Sequence, residues 1–225
     1  MYCLLKALIW LSLLPSPTTT KKTPSSTALR MERQGLVDIG KKDPTIRVSL
    51  MYARPDNFCG TVLYHDLDRA YLHPLAADAL VKAQRRLKQI RPDLSLKVYD
   101  AARPMSIQQQ MWNRVKATPK RMYVSNPAHG GGLHNYGLAV DITLCDARGD
   151  TLPMGTKIDH LGKEAHIDNE KELVRLRIMT EEARQNRILL RKVMTDAGYK
   201  PLRSEWWHFN LRSREEAKKY FKMIR

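Results

Sequence analysis

Two histidines and two carboxylates in this chain have the residue types and the spacing of a catalytic metal site. His134 precedes Asp141 by seven residues, and Glu205 precedes His208 by three. Two neutral imidazoles and one carboxylate are a usual ligand set for a catalytic zinc ion, which keeps a water molecule in its fourth position. The remaining carboxylate, Glu205, would then be free to act as the general base on that water. These four residues therefore predict metal-assisted hydrolysis.

Each half of this pattern also has a simpler interpretation. Alone, His134 and Asp141 could be a surface histidine and an acid at the end of a strand. The two tryptophans between Glu205 and His208 could be core residues beside a solvated acid and a half-buried imidazole. The occurrence of both halves in one chain favours the metal site. Because residues three apart on a regular strand face opposite sides, this interpretation requires a turn or bulge between Glu205 and His208.

The elements that must position these residues predict an α+β fold. Apolar residues recur at helical spacing over 75–90, whereas residues 94–99 alternate between apolar and polar as in a half-buried strand. The expected helices are 75–90, 106–115, 181–197 (closed by Gly198) and 213–221 (begun by a capping box), and the expected strands are 94–99, 138–144 and 209–211. Because regular βαβ alternation is lacking, we expect an antiparallel sheet flanked by helices in a single domain.

The composition favours one globular domain with a basic surface. The chain has 225 residues and a net charge of +16, from 39 Lys and Arg against 23 Asp and Glu. The basic residues are scattered among acidic ones and do not form blocks interleaved with aromatic residues, which argues against nucleic-acid binding. A basic surface that faces an acidic envelope or polymer is the simpler explanation. The oligomeric state cannot be inferred from the sequence.

The N-terminal segment predicts export. Residues 2–14 are mostly apolar, which is shorter than the about 20 residues of a membrane span but typical of the core of a secretory signal peptide. We expect a signal peptide at 1–20, a linker at 21–30 and the catalytic domain at 31–225, in the periplasm or otherwise exported. No membrane span would then remain after signal removal. An uncleaved anchor or a misassigned start is the alternative, and without a signal the protein would be cytoplasmic.

Five further residues could form bonds or bind metal. Cys59 and Cys145 could make one disulfide in an oxidising compartment, although buried free thiols are the favoured interpretation. His129, His160 and His166 are close in sequence to the predicted site and could bind a second metal ion. Surface positions in loops are the simpler expectation for these three histidines.

Arg103 follows a predicted strand, in the segment Asp100-Ala-Ala-Arg-Pro104. A guanidinium group there could stabilise the oxyanion that forms when water attacks a peptide carbonyl. It could equally form a structural salt bridge with Asp100 or another acid. The residues alone leave both interpretations open.

Several separate segments between about Tyr52 and Phe221 form an ordered set. They are Tyr52-Ala-Arg-Pro-Asp-Asn-Phe-Cys-Gly60, Ala70-Tyr-Leu-His73, Tyr99-Asp-Ala-Ala-Arg-Pro104, His134 to Asp141, Pro153-Met-Gly-Thr156, Asn186-Arg187 with Leu189-Leu-Arg191, and Ser204-Glu-Trp-Trp-His-Phe209. In this order they resemble the D-alanyl-D-alanine dipeptidase family of zinc peptidases, which is related to zinc D,D-carboxypeptidases and to the hedgehog signalling domain.

The resemblance implies a role for each matching residue. His134, Asp141 and His208 would be the ligands of one Zn²⁺ ion. Glu205 would be the catalytic base, which passes a proton from water to the leaving amine, and Arg103 would stabilise the tetrahedral intermediate.

Tyr52 and Asp159 match residues that help to hold the amino end of the substrate, although Lys157-Ile-Asp-His160 matches the usual Phe-Asp pattern only in part. Gly132 stands where the family often has a serine, so one hydroxyl group near the substrate would be missing.

We therefore expect a zinc peptidase that hydrolyses the dipeptide D-alanyl-D-alanine to two D-alanines. The alternative within the same chemistry is a D,D-carboxypeptidase or endopeptidase that acts on peptidoglycan stem peptides in a more open cleft. A non-catalytic, zinc-stabilised envelope-binding module is a third interpretation. The presence of both Glu205 and Arg103 argues against it, since a structural zinc site needs neither.

Overall fold

The computed structural model describes residues 24–225, and the segment 1–20 predicted to be a signal peptide lies outside this range. The α-helices of this range are α1 (Ser26–Arg33), α2 (Ile39–Lys42), α3 (Pro74–Ile90), α4 (Met105–Val115), α5 (Glu170–Arg175), α6 (Glu181–Asp196) and α7 (Arg214–Tyr220). Its strands are β1 (Val37–Asp38), β2 (Arg47–Val48), β3 (Tyr71–Leu72), β4 (Ser95–Asp100), β5 (Ala139–Cys145), β6 (Lys200–Leu202) and β7 (Glu205–Asn210). This mixture confirms the predicted α+β class.

The central sheet has five strands in the order β2-β4-β5-β7-β6, and β1 pairs with β3 in a separate two-stranded sheet. The pairs β4–β5, β5–β7 and β6–β7 are antiparallel, as predicted. The edge pair β2–β4 is parallel, which differs from the expectation of a purely antiparallel sheet. The chain crosses from β2 to β4 through α3, and a crossover of this kind is what a parallel pair requires.

Residues 21–30 were predicted to be a linker, but helix α1 begins at Ser26 and includes the last five residues of that range. The hydroxyl group of Ser25 accepts a hydrogen bond from the backbone N–H of Ala28 at 3.1 Å, which caps the first turn. Ala28 and Met31 lie three residues apart on one face of the helix and are buried. A capped helix therefore begins at Ser26, within the Ser-, Thr- and Pro-rich segment.

Two long helices cover one side of the sheet. Leu80 and Leu87 of α3, together with Leu190 and Val193 of α6, belong to one buried apolar cluster with Ile142 of β5. Burial of large aliphatic side chains in such a layer is the main stabilising contribution to a domain of this size. In residues 24–225, no helix has both the length and the apolar character needed to span a bilayer.

The two cysteines are buried and are not joined to each other. The Cys145 thiol donates to the backbone carbonyl of Ser95 at 3.5 Å, and burial raises the pKa of the Cys59 thiol to about 11. The favoured interpretation, two buried free thiols, agrees with this arrangement.

Candidate active site

The three predicted metal ligands meet where β5 and β7 lie side by side. Asp141 of β5 is directly opposite His208 of β7 in the antiparallel register. His134 lies in a short 3-10 helix, Leu133–Tyr136, immediately before β5. Gly137 ends that helix with a φ of 66°, a left-handed conformation that favours glycine and turns the chain into the strand. Local chain geometry therefore brings residues of distant sequence position to one point.

The ligand atoms form a nearly equilateral triangle. His134 Nε2 is 3.3 Å from Asp141 Oδ1, His208 Nδ1 is 3.0 Å from the same oxygen, and the two nitrogens are 3.2 Å apart. Ligands bound to a tetrahedral zinc ion at its usual bond lengths are separated by about 3.3 Å. The donor set and its spacing thus fit one zinc-sized ion, and these residues form a possible metal-binding group.

Hydrogen bonds behind the ligands orient both imidazoles. His134 Nδ1 donates to the backbone carbonyl of Ala101 at 2.7 Å, and His208 Nε2 donates to Asn210 Oδ1 at 2.8 Å. Each ring therefore carries its proton on the outer nitrogen and presents a lone pair to the centre of the triangle. Sequence reasoning did not single out Asn210. Its position two residues after His208 on a strand, hence on the same face, was the available signal.

Asp141 is held as a carboxylate. Although burial acts to raise its pKa, the positive charge and the hydrogen bonds of His134 and His208, when their rings are protonated towards it, hold the pKa of Asp141 well below the usual range. A carboxylate oxygen is thus available as the third ligand at neutral pH.

Glu205 lines the same cavity as the three ligands and is only 8% exposed. The pairing of β6 with β7 is irregular, because Pro201 is opposite Phe209 whereas the next residue, Leu202, is opposite Glu205. This irregularity is the bulge that the metal-site interpretation required. Burial raises the pKa of Glu205 to about 8, with a smaller opposing effect from His208. The carboxyl group can therefore exchange a proton near neutral pH.

Arg103 forms a salt bridge and also lines the cavity. Its Nε donates to Asp100 Oδ2 at 2.9 Å, which is the predicted salt bridge, and its Nη1 donates to Gln108 Oε1 at 2.9 Å. The guanidinium group also lines the cavity, with Nη2 at 3.7 Å from Asp141 Oδ2. Gln108, which is buried in α4, was missed by sequence reasoning, because nothing in the run of glutamines at 108–110 distinguishes it.

Tyr52 and Asp159 meet at one end of the cavity. Tyr52 is buried, and its hydroxyl group donates to Asp159 Oδ1 at 3.0 Å. Asp159 has a φ of 65°, an uncommon conformation for a residue other than glycine. Burial raises the pKa of Asp159 to about 7, and the charge of Asp141 adds to this effect. The whole cavity has a volume of about 380 Å³ and includes all seven predicted site residues.

The remaining histidines lie outside the ligand triangle. His160 pairs with Glu164 at 2.8 Å on the surface, and His166 is 3.4 Å from the hydroxyl group of Tyr123. Within residues 24–225, neither of them nor His129 belongs to a group of three metal-ligating side chains.

Comparison with known proteins agrees with this geometry. Residues 32–225 match a family model described as D-Ala-D-Ala dipeptidase. The D-alanyl-D-alanine dipeptidase of Escherichia coli (strain K12) is 35% identical over 176 residues, which cover 78% of this chain and 84% of that protein. A D-alanyl-D-alanine dipeptidase of Synechocystis is 28% identical over 166 residues, covering 58% of this chain and 65% of that protein.

A shorter match links the chain to the D-alanyl-D-alanine dipeptidase of Enterococcus faecium, at 34% identity over 89 residues, or 39% of this chain and 41% of that protein. The family model spans nearly the whole described range and includes every residue of the His-Asp-His triangle. The chain therefore belongs to the D-Ala-D-Ala dipeptidase family and is a metallopeptidase.

Proposed function

We propose that the protein is a zinc enzyme that hydrolyses D-alanyl-D-alanine to two molecules of D-alanine. The observation that carries the proposal is the buried carboxyl group of Glu205, which lines one cavity with the ligand triangle and is not part of it. His134, Asp141 and His208 would hold a zinc ion, which would supply a Lewis acid for the peptide carbonyl and for water.

Glu205 is the proposed general base and general acid. Its carboxylate accepts a proton from the attacking water, and the resulting acid donates that proton to the leaving amine. A pKa raised by burial to about 8 suits both steps, because a group that titrates near neutral pH can accept and release a proton in one cycle. A positive charge bound at the neighbouring triangle would favour its carboxylate form before the reaction.

Arg103 is proposed to stabilise the negative charge that develops on the carbonyl oxygen. Burial acts to lower the pKa of Arg103, but Asp100 and the other groups around it hold that pKa well above the usual range, so the guanidinium group keeps its charge. The bonds to Asp100 and Gln108 fix its orientation before substrate binds. A donor held in place in a buried site costs little reorganisation during the reaction.

Asp159 and Tyr52 are proposed to bind the free ammonium group of the dipeptide. The Asp159 carboxylate would pair with the ammonium group, while the Tyr52 hydroxyl group fixes the carboxylate. A stem peptide continues on the amino side of the bond to be cleaved, where these two residues and Phe58 line the cavity. This arrangement favours the dipeptide over the stem peptide, and so over a D,D-carboxypeptidase.

The test compares three substrates of the zinc-loaded protein: D-Ala-D-Ala, N-acetyl-D-Ala-D-Ala and a stem pentapeptide that ends in D-Ala-D-Ala. We expect release of D-alanine from the free dipeptide alone, because the other two lack an ammonium group at the required position. Comparable cleavage of the acetylated dipeptide and the pentapeptide would establish the carboxypeptidase activity instead. Failure to cleave any of the three would refute the proposed substrate class.

A further inference from the structure

A second groove of about 540 Å³ adjoins the site cavity on the side of Glu205. Ser125, Glu205 and Arg214 line both the cavity and the groove. None of Tyr52, Phe58 and Asp159 lines the groove. The cavity therefore has two different regions: the Tyr52–Asp159 pair lines one, and the other adjoins this groove.

The proposed reaction fixes which end of the substrate faces the groove. With the ammonium group at Asp159, the other residue of the dipeptide must extend away from the Tyr52–Asp159 pair. Glu205 donates the proton to the leaving amine, and Glu205 lies on the boundary between the cavity and the groove. The side chain and the carboxylate of the leaving residue are thus directed towards the groove.

The groove is basic. Arg121, Arg214 and His129 line it, and Glu205 is the one carboxylate among its described lining residues. Arg214 donates to the backbone carbonyl of Gly131 at 2.6 Å and forms no salt bridge in the part of the chain that the structure describes, although its charge helps to lower the pKa of the neighbouring Glu215. Arg121 is exposed and has no ion pair within residues 24–225. A ligand that carries a negative charge in addition to its α-carboxylate would meet favourable charges here.

The boundary between the cavity and the groove is formed in part by small residues. Gly132 has a φ of −111°, so its backbone would accept any residue, but a Cβ atom there would lie 2.9 Å from the hydroxyl oxygen of Ser125. The backbone carbonyl of Ser125 accepts a hydrogen bond from Gln108 at 2.8 Å, which ties this position to the residue that holds Arg103. Because Gly132 has no side chain, the hydroxyl group of Ser125 can line the boundary between the cavity and the groove at this position.

We propose that the groove is a subsite for the leaving residue, which accepts residues larger than alanine and favours acidic side chains. D-Alanyl dipeptides that end in D-glutamate would then be substrates. This inference rests on the proposed dipeptidase activity and specifies the substrates that the same site accepts.

The experiment compares kcat/KM for D-Ala-D-Glu, for its uncharged counterpart D-Ala-D-Gln and for D-Ala-D-Ala. We expect D-Ala-D-Glu to be cleaved about two- to fivefold more efficiently than D-Ala-D-Gln, the range typical of exposed charge pairs. This preference should shrink at high salt, because screening weakens exposed pairs.

Three variants test which residues of the groove cause the preference among the dipeptides. Arg121→Gln should reduce the preference for D-Ala-D-Glu over D-Ala-D-Gln. Lys120→Gln should keep this preference, because Lys120 is an exposed cation of the same short 3-10 helix, Pro119–Tyr123, but lines neither the cavity nor the groove. Gly132→Ala should displace Ser125 and reduce cleavage of both larger dipeptides relative to D-Ala-D-Ala.

The outcomes separate the inference from the function on which it rests. Cleavage of D-Ala-D-Ala without any preference for D-Ala-D-Glu over D-Ala-D-Gln would overturn the inference and leave the dipeptidase proposal intact. Equal loss of the preference in Arg121→Gln and Lys120→Gln would also overturn it, because a general surface charge would then be the cause. If no D-dipeptide is cleaved, both proposals are wrong.

Discussion

The central strands present two faces that differ in polarity and in what covers them. On β5, Asp141 and Thr143 belong to the face that contributes to the metal triangle, whereas Ile142 and Leu144 belong to the apolar cluster with α3 and α6. Alternation along a strand produces this separation, because successive side chains point to opposite sides. One strand thus holds both a proposed metal ligand and part of the core, and substitutions on the two faces should affect different properties.

The largest expected effect is on the polar face, at Glu205. Glu205→Gln keeps the shape of the side chain but removes the proton acceptor, so we expect kcat for D-Ala-D-Ala to fall by about 10²- to 10⁴-fold. Steady-state kinetics would measure this loss, with zinc content determined for the same samples. Unchanged zinc content with a kcat within tenfold of the original would show that another group is the base.

The next largest effect, on stability, is expected at Leu190 of α6, which packs in the cluster that covers the apolar face. Leu190→Ala leaves a cavity beneath the sheet and should lower the free energy of unfolding by about 2–5 kcal/mol. Denaturant unfolding at saturating zinc would measure this loss, and the folded variant should still bind zinc.

Thr143→Val is the matched change on the polar face. The buried hydroxyl group of Thr143 has no hydrogen-bond partner among the described residues, so the free energy of unfolding should be unchanged or slightly higher. Loss of zinc binding without loss of stability in Leu190→Ala would contradict the separation of the two faces.

A smaller effect, on zinc affinity, is expected at Asn210, whose side chain accepts a hydrogen bond from the proposed ligand His208. Asn210→Ala removes the acceptor for His208 Nε2, so the ring can rotate or shift its proton, and zinc affinity should fall by about 10- to 100-fold. Competition with a chelating dye would measure the affinity. An unchanged zinc affinity would mean that strand pairing alone orients His208.

The smallest effect concerns pH and the amino end of the substrate. Burial raises the pKa of Asp159 to about 7, and only the deprotonated form can pair with an ammonium group. KM for D-Ala-D-Ala should therefore rise as pH falls below about 7, by up to about tenfold per pH unit. Asp159→Asn should have a higher KM that no longer changes in this pH range. A pH-dependent KM that persists in this variant would assign the titration to another group.

The sequence predicted the elements that local patterns define. Helix α3, helix α6 and strand β5 were expected within one or two residues of their observed ends, because apolar periodicity and caps are local signals. The two-residue strands β1, β2 and β3 were missed, since their pairing depends on distant parts of the chain. Helix α1 was missed because its composition resembled that of a linker.

In the candidate site, too, the residues whose contacts join distant segments could not be predicted. Motifs and resemblance predicted seven site residues, and all seven line one cavity. They are the candidate ligands His134, Asp141 and His208, together with Glu205, Arg103, Tyr52 and Asp159. Gln108, Ser125 and Asn210 were not named, because their importance arises from hydrogen bonds and close approaches between segments. No spacing in the sequence indicates that Ser125 lies against Gly132, seven residues later in the chain.

The most direct test of the account is the rate of D-alanine release from D-Ala-D-Ala as zinc is titrated into protein stripped of metal by a chelator. The account predicts no release without metal, and a rate that rises with added zinc and levels off at one zinc ion per chain. Release by the stripped protein, or no release with one zinc ion bound per chain, would contradict the claim that the His134–Asp141–His208 triangle is the centre of a zinc dipeptidase.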